Sequence, residues 1–425
     1  MLVYLQKNNS NSTNMSTPTL KEKTARGLLW GGLSNGVQQV LNLLFGIFLA
    51  RELTPADYGM VGMLAVFSLI ATALQESGFT AALVNKKMFR HEDYNAVFWF
   101  SILMSLGLYI LLFLCAPLIA DFYHKPELTP LARYSFLGFV LSAFGTAQGA
   151  VLFKYLKVKQ RAISQIIALT ISGCVGIIMA YNGFSYWSIA TQNLVCIGLT
   201  TILYWYFSPW RPTLNINLNP LKEMFGFSSK LLVTGIFSHV NYNLFSLILG
   251  RYYNTRDVGF YDQAYKWSSM GGLFILGTIN SVAQPVLSSL RDEQEFQRRA
   301  FMKLMLFTCS ISFPLMLGMA FVAEGLVMNL LTDKWAPVIP LLQLLCISGA
   351  FVPVTNLYQQ LLISRGRSDL YMWGVICEGM LILICLILTS PYGVVTMLKV
   401  YVILYIGYVT VWHWLGSRSL KMQIC

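Results

Sequence analysis

The sequence predicts an all-α polytopic membrane protein, with twelve transmembrane helices in two six-helix bundles. A pseudo-two-fold axis relates the bundles, and a central cavity lies between them. Three observations lead there. The chain is 56% hydrophobic and 11% charged, where a soluble domain carries about a quarter charged residues, so its solvent must be largely lipid. Apolar stretches of about 20 residues, the length that crosses hydrocarbon as a helix, recur along its whole length. Finally, one turn is spelled twice: "ARELTPADYGMVG" (Ala50 to Gly62) returns as "GRYYNTRDVGFYD" (Gly250 to Asp262), matching Arg51 with Arg251, Asp57 with Asp257 and Gly59 with Gly259 without a gap.

The elements follow from what bounds them. The polar opening "MLVYLQKNNSNSTNMSTPTL" has no apolar core of signal-peptide length, so residues 1–25 read as a disordered cytoplasmic tail. Span one, Arg26–Ala50, ends at Arg51; span two, Tyr58–Val84, ends at Lys86, Lys87 and Arg90. Span three, Ala96–Ala120, leads into the longest outer connection, Asp121–Pro130. Span four, Leu131–Phe153, stops at "KYLKVKQR", and the Asn182–Gly183 turn parts span five, Ala162–Tyr181, from span six, Ser185–Phe207. Span seven, Gly226–Gly250, ends at the second copy of the turn. Span eight, Val258–Leu287, stops at "RDEQEFQRR". Span nine, Phe301–Ala323, and span ten, Val338–Ile363, flank Asp333 and Lys334. Span eleven, Leu370–Leu388, begins after Arg365 and Arg367, and span twelve, Tyr392–Gly416, ends before Arg418 and Lys421. A transmembrane β-barrel would instead alternate over strands of about ten residues.

Charge tests the count independently. With the N-terminus inside, 22 of the 30 Lys and Arg residues fall in the tail, the even-numbered connections and the C-terminus. That is the positive-inside distribution, and it places both termini in the cytoplasm. The net charge of +12 is thereby read as topology and contact with anionic membrane lipids, with no nucleic-acid partner. The eight cysteines lie mostly within apolar runs without paired spacing; they read as buried small side chains, with no metal and no disulfide. No G-x-x-x-x-G-K-[ST] phosphate loop occurs, and the sequence calls for no cofactor.

The doubled turn divides the chain into residues 26–225 and 226–425, six helices each. The match continues upstream, "NLLFGIFLAR" against "YNLFSLILGR". An even number of helices per copy makes both copies run in the same direction, so the axis relating them stands along the membrane normal, and rocking of one bundle on the other gives alternating access. Asp57 and Asp257 stand where a helix begins and are expected to cap it. Arg51 and Arg251 are expected to pair with them, and Gly59 and Gly259 to permit close helix approach; the alternative for these residues is contact with substrate.

The stretch "RGLLWGGLSNGVQQVLNLLFGIFLARELTPADYGMVGMLAVFSLIATALQESGFTAALVNKK" resembles the opening of the Wzx-type polysaccharide transporters. These are lipid-linked oligosaccharide flippases of the multidrug/oligosaccharidyl-lipid/polysaccharide exporter superfamily. "DVGFYDQAYKW" and "LLISRGRSDL" look like that family's eighth-helix opening and tenth connection. Many members carry two further C-terminal helices, for which no counterpart is expected in this sequence. The resemblance implies a non-enzymatic carrier in the bacterial cytoplasmic membrane. It would move an undecaprenyl-diphosphate-linked sugar repeat to the outer leaflet for surface polysaccharide or O-antigen assembly, alongside other polysaccharide assembly proteins.

A polar, anionic headgroup needs a polar, cation-lined path through hydrocarbon. On span one, Asn35, Gln38, Gln39 and Asn42 share one helical face and read either as sugar contacts or as interhelical hydrogen bonds. His239 and Asn243 stand at comparable positions in span seven. Lys266 and Lys399 lie deep in their spans and are candidates for the diphosphate, or else snorkel to headgroups. Glu378, near mid-span, is a candidate for ion coupling, or else pairs with a lysine. Two rival functions stay open: an ion-coupled drug or metabolite antiporter of the same superfamily, and an integral-membrane glycan polymerase or ligase. The second is disfavoured because the outer connections are short.

Overall fold

The computed structural model describes residues 20–76, 91–155, 157–214, 217, 243–291 and 293–419. Its helices are α1 (Leu20–Glu52), α2 (Pro55–Glu76), α3 (His91–Tyr123), α4 (Leu128–Ser135), α5 (Leu137–Lys154), α6 (Val158–Tyr181) and α7 (Tyr186–Phe207). There follow α8, described over residues 243–252, then α9 (Thr255–Ser289), α10 (Gln294–Leu330), α11 (Val338–Ser364), α12 (Ser368–Thr389) and α13 (Val394–Ser419). There is no strand among the described residues.

Within the described residues, 9 helical stretches are long and apolar enough to cross a membrane. α7 and α9 have the length, 22 and 35 residues, but a more polar composition: tyrosine, threonine and asparagine along α7, and Asp262, Lys266 and Gln284 along α9. Span seven lies outside the described residues up to 242. The helices outrun the spans read from hydropathy: α3 has 33 residues and α10 has 37. Apolar composition marks only what lies in hydrocarbon, whereas backbone hydrogen bonding carries a helix on through polar turns. Span four is two helices. At Phe136 the backbone N–H groups of Phe136 and Phe139 bond to Ala132 and Phe136 oxygens. This tightened turn lets the fully buried Phe136 ring stack on Phe139 at 5.7 Å.

Alternate connections gather at opposite ends. At one end, Arg51 reaches the end of α10, Arg251 the end of α3, Asp57 the α6–α7 connection, and the Tyr253 hydroxyl the Ser390 oxygen. At the other end, where α1 starts and α13 stops, Trp210 Nε1 donates to His91 Nδ1 at 3.1 Å and Arg291 lies against Gly366. We call these the far end and the terminal end. The main core cluster lies at the far end and joins both halves, combining Ala50, Met63, Tyr123 and Leu128 with Leu249, Val258, Phe260 and Trp335. Toward the terminal end, the second half has its own core of Phe301, Leu357, Tyr358, Leu361 and Trp412. The perimeter is apolar: Phe321 is 88% exposed and Leu114 69%, as a surface facing lipid requires.

Candidate functional site

The far end is closed by a reciprocal interlock. A Cβ on Gly59 would stand 1.7 Å from the Thr255 oxygen, and one on Gly259 would stand 1.8 Å from the Pro55 oxygen. α2 and α9 therefore meet backbone to backbone, which only glycine allows at these two positions. The charged residues of the turn extend the reciprocity. Arg51 donates from Nε to the Leu330 oxygen and from Nη2 to the Asn329 oxygen, both at 2.9 Å. Arg251 donates to the Phe122 oxygen and meets His124 Nε2 at 2.7 Å. Each arginine thus occupies the C-terminal carbonyls of a helix from the opposite half, where a cation also meets the negative end of the helix dipole.

Neither arginine pairs with an aspartate of its own turn, contrary to the sequence expectation; the free carbonyls across the seam are its acceptors. Asp57 serves α2 instead. Its Oδ2 accepts from Thr54 N at 2.8 Å and Thr54 Oγ1 at 2.7 Å, while Asp57 N donates to Thr54 Oγ1 at 3.3 Å. This is a capping box in which Thr54 is the cap. The other carboxylate oxygen accepts from Ser185 Oγ, whose backbone is left-handed with φ 51°. In the second copy Asn254 Oδ1 caps Asp257 N at 2.9 Å.

Aromatic wedges complete the seal. Trp335, fully buried, donates from Nε1 to the Ala50 oxygen at 2.7 Å and meets Tyr58 edge-on at 5.4 Å. Tyr123, from the first half, packs on Gly250, the counterpart of Ala50; a Cβ there would fall 2.5 Å from its ring. Lys334 Nζ donates to the Arg51 oxygen. Lys334 is held below the usual ammonium range by burial first, against the opposing pull of Glu52 and Asp57.

Below the interlock, α2 is a partition. One face, Gly59 and Gly62, abuts α9, where a Cβ on Gly62 would overlap the Asp262 carboxylate. Asp262 accepts from Ser246 Oγ, so an acid from the second half lies against the backbone of the first. The other face of α2 borders a cavity of about 1100 Å³. Ser68, Thr72 and Gln75 line it from α2, Ser142 and Thr146 from α5, and Asn193, Thr200 and Thr201 from α7. Arg161, bonded to the Tyr204 hydroxyl at 3.3 Å, is the charged member of this lining among the described residues. These hydroxyls and amides alternate with a larger apolar lining that includes Leu64, Leu69, Phe139, Phe153 and Ile197, so the cavity is amphipathic.

The sequence candidates are distributed unevenly. Asn35 and Gln39 are exposed on α1, whereas Gln38 donates to Ser34 Oγ at 2.8 Å and to Gln165 Oε1 at 3.3 Å, tying α1 to α6. Asn42 shares a crevice of about 10 Å³ with Gly46, Gln263, Lys266 and Trp267, too small for more than one water. Lys266 Nζ points at α1: a Cβ on Gly46 would be 3.1 Å away. Lys266 has no hydrogen bond or ion pair among the described residues, although it stands about 16 Å along α9 from Thr255 at 1.5 Å per residue. Lys399 is exposed near the start of α13. Glu378, on α12, accepts from Trp412 Nε1 at 3.1 Å, so its partner is an indole in place of a lysine. Asn243 is half-buried on α8, and His239 lies outside the described residues.

Sequence reasoning missed Asp262, the cavity lining and Arg161. Asp262 carried a usable signal, a carboxylate one helical turn before Lys266 in the same span. The lining carried none, because its hydroxyls come from separate helices.

Comparison with known proteins completes the picture. The model of a family described as polysaccharide biosynthesis protein matches residues 48–340. The chain is 26% identical to the lipopolysaccharide biosynthesis protein WzxC of Escherichia coli (strain K12), over 83% of this chain and 72% of that protein. It is 24% identical to the teichuronic acid biosynthesis protein TuaB of Bacillus subtilis (strain 168), over 96% and 85%. Among solved structures, it superposes on an inward-facing multidrug resistance MATE family transporter of the MOP superfamily with a TM-score of 0.74 at 16% identity, covering 90% of this chain and 94% of that one. On the lipid II flippase MurJ in an inward closed conformation the TM-score is 0.72 at 13% identity, covering 92% and 89%. At those identities the structural likeness is one of fold.

Proposed function

This chain belongs to the polysaccharide biosynthesis protein family, and on that premise we propose that it flips a lipid-linked oligosaccharide, carried on undecaprenyl diphosphate, across the cytoplasmic membrane by alternating access. The fold alone is shared with multidrug transporters; family membership favours the glycan. The supporting observation is a far end sealed by backbone contact above a cavity of about 1100 Å³. On the other side of α2, Lys266 lies against α1 in its own crevice, with no hydrogen bond or ion pair among the described residues.

Each part then has a task. The glycan exchanges its hydration for the hydroxyls and amides of the cavity. Once α1 and α9 part, the diphosphate offers Lys266 acceptors it lacks among the described residues, and a desolvated cation gains most from such a partner. The polyprenyl tail stays in lipid. Opening requires the Gly59 and Gly259 contacts to part while the terminal end closes. The basic even-numbered connections support a cytoplasmic terminal end with both termini inside, and on that reading cargo moves outward. Glu378 and Asp262 are the carboxylates available for an ion coupled to that cycle, and no covalent bond in the cargo changes.

The test is movement of a fluorescent polyprenyl-diphosphate glycan in vesicles containing the purified chain, read by a quencher that reaches only the outer leaflet. Headgroups are expected to cross with wild type, and at least about tenfold more slowly with Lys266→Gln, a factor worth about 1.4 kcal/mol. Lys266→Arg should retain most of the rate. Crossing at equal rates in vesicles without protein, or with Lys266→Gln, defeats the proposal.

A further inference from the structure

The terminal end carries a cluster of arginines, and they divide into two kinds. Arg298 and Arg299 hold Glu295 at 3.7 and 3.2 Å, and Arg367 holds Asp369 at 3.6 Å. Arg291 and Arg365 hold no carboxylate among the described residues, yet the fold brings these two together. Arg365 ends α11, Arg291 follows the end of α9, and Gly366, with φ +72°, turns the chain so closely that a Cβ there would stand 2.9 Å from Arg291 Nη2.

Arg365 Nε and Nη2 are shielded from solvent and make no hydrogen bond. Burial, and next the charge of Arg291, hold this guanidinium below its usual range, but a group that starts so high stays charged. The helix end does not use these donors. The last carbonyls of α11, on Leu361, Leu362 and Ile363, already accept from the backbone N–H groups of Arg365, Arg367 and Gly366. Two like charges side by side, with unused donors on one of them, favour an anion between them. Guanidinium forks match phosphate oxygens in pairs. Arg365 stands just beyond the end of a helix long and apolar enough to cross a membrane, with Arg291 beside it, where headgroups meet such a helix end.

We propose that Arg291 and Arg365 form a docking site for the phosphate group of a membrane lipid at the terminal end, separate from both the cavity and Lys266. The ligand is either a resident anionic phospholipid or a polyprenyl diphosphate. This assignment does not depend on the flipping reading, since neither arginine lines the cavity or the seam.

The experiment uses the full chain in detergent micelles, with phosphatidylglycerol, a polyprenyl diphosphate and inorganic diphosphate as separate probes. Binding is read by native mass spectrometry and by the ligand-induced shift in melting temperature. Saturable binding of at least one of the two lipids is expected, weakened roughly tenfold by R365Q and by R291Q and unchanged by R298Q, whose arginine is already paired. Preference between the two lipids identifies the source. Without ligand, R291Q should melt no lower than wild type, because it removes a repulsion; being exposed, Arg291 can be replaced even if R365Q fails to fold. Equal lipid binding by wild type and R291Q overturns the site, as does a lower melting temperature of ligand-free R291Q with binding intact. Binding of inorganic diphosphate alone overturns the lipid assignment.

Discussion

In the first half, the helix that walls the interior presents Gly138, Ser142, Gly145, Thr146 and Gly149 on α5; in the second half, α11 presents Leu357, Tyr358, Leu361 and Leu362, with Trp412 filled in behind. One interior holds a cavity of about 1100 Å³ and the other holds packed rings. The frames around these unlike interiors correspond closely. Gly59 meets Thr255 as Gly259 meets Pro55, Arg51 reaches the end of α10 as Arg251 reaches the end of α3, and Trp335 covers Ala50 as Tyr123 covers Gly250. Contacts that bind the halves to each other are constrained from both sides at once. Contacts within a half answer only to that half, so one interior was free to open and the other to fill.

The largest expected effect breaks the frame. Gly59→Ala and Gly259→Ala each place a carbon against a carbonyl oxygen that cannot move aside, and each should cost the closed far end about 3 kcal/mol. Modification of cysteines introduced at Ala50 and Val258, both fully buried at the far end, should rise to the same degree in both variants; a marked difference would show that the interlock is not reciprocal in strength. Next come the interiors. Leu357→Ala, at a fully buried site, should destabilise by about 2 to 5 kcal/mol in thermal unfolding. Thr146→Leu, which projects into the cavity, should change the melting temperature little and slow headgroup movement severalfold. If Thr146→Leu instead unfolds the chain while transport tolerates it in the folded fraction, the first interior is core and not passage.

A smaller change is expected at the arginines. Arg51 is exposed and Arg251 half-buried, so Arg51→Ala and Arg251→Ala should each weaken the closed state by only about 0.5 to 1 kcal/mol, and the double variant by the sum, read by the same cysteine modification. The smallest effect sharpens the contrast between the two capping turns. Asp257 is held above its ordinary value of 3.8 by burial, against the opposing pull of the Asn254 backbone N–H and Arg256. Its charge is less favoured in the folded chain than in the unfolded one. Its contribution to stability is therefore fully present below pH 3.8 and is lost as pH rises through the shifted value. Asp257→Asn should flatten this decline, measured as melting temperature across mildly acidic pH.

The repeat, the helical class and most of the spans were legible in the sequence, because apolar length and loop charge are local signals. The partners of Arg51 were not, since they lie 278 and 279 residues away and are backbone carbonyls that no side-chain pattern announces. Thr54 and Asn254 escaped notice as corresponding caps because they are different residues doing the same work. The cavity was invisible for a related reason: Thr72, Thr146 and Thr200 are each unremarkable on their own helices, where the hydroxyl donates to a carbonyl one turn back at no great cost. Only their convergence brings polar groups into one space.

A surface that fits itself needs to be invented once. Because each glycine of the interlock receives a carbonyl from the other copy, a single ancestral half, meeting its twin across a rotation axis, would form both contacts together and close a pore before any gene fusion. Later drift in either copy is then answerable to its sibling. A substitution near Gly59 or Gly259 is judged by the fit of the opposite repeat, so divergence between the halves should accumulate away from the axis and remain scarce upon it.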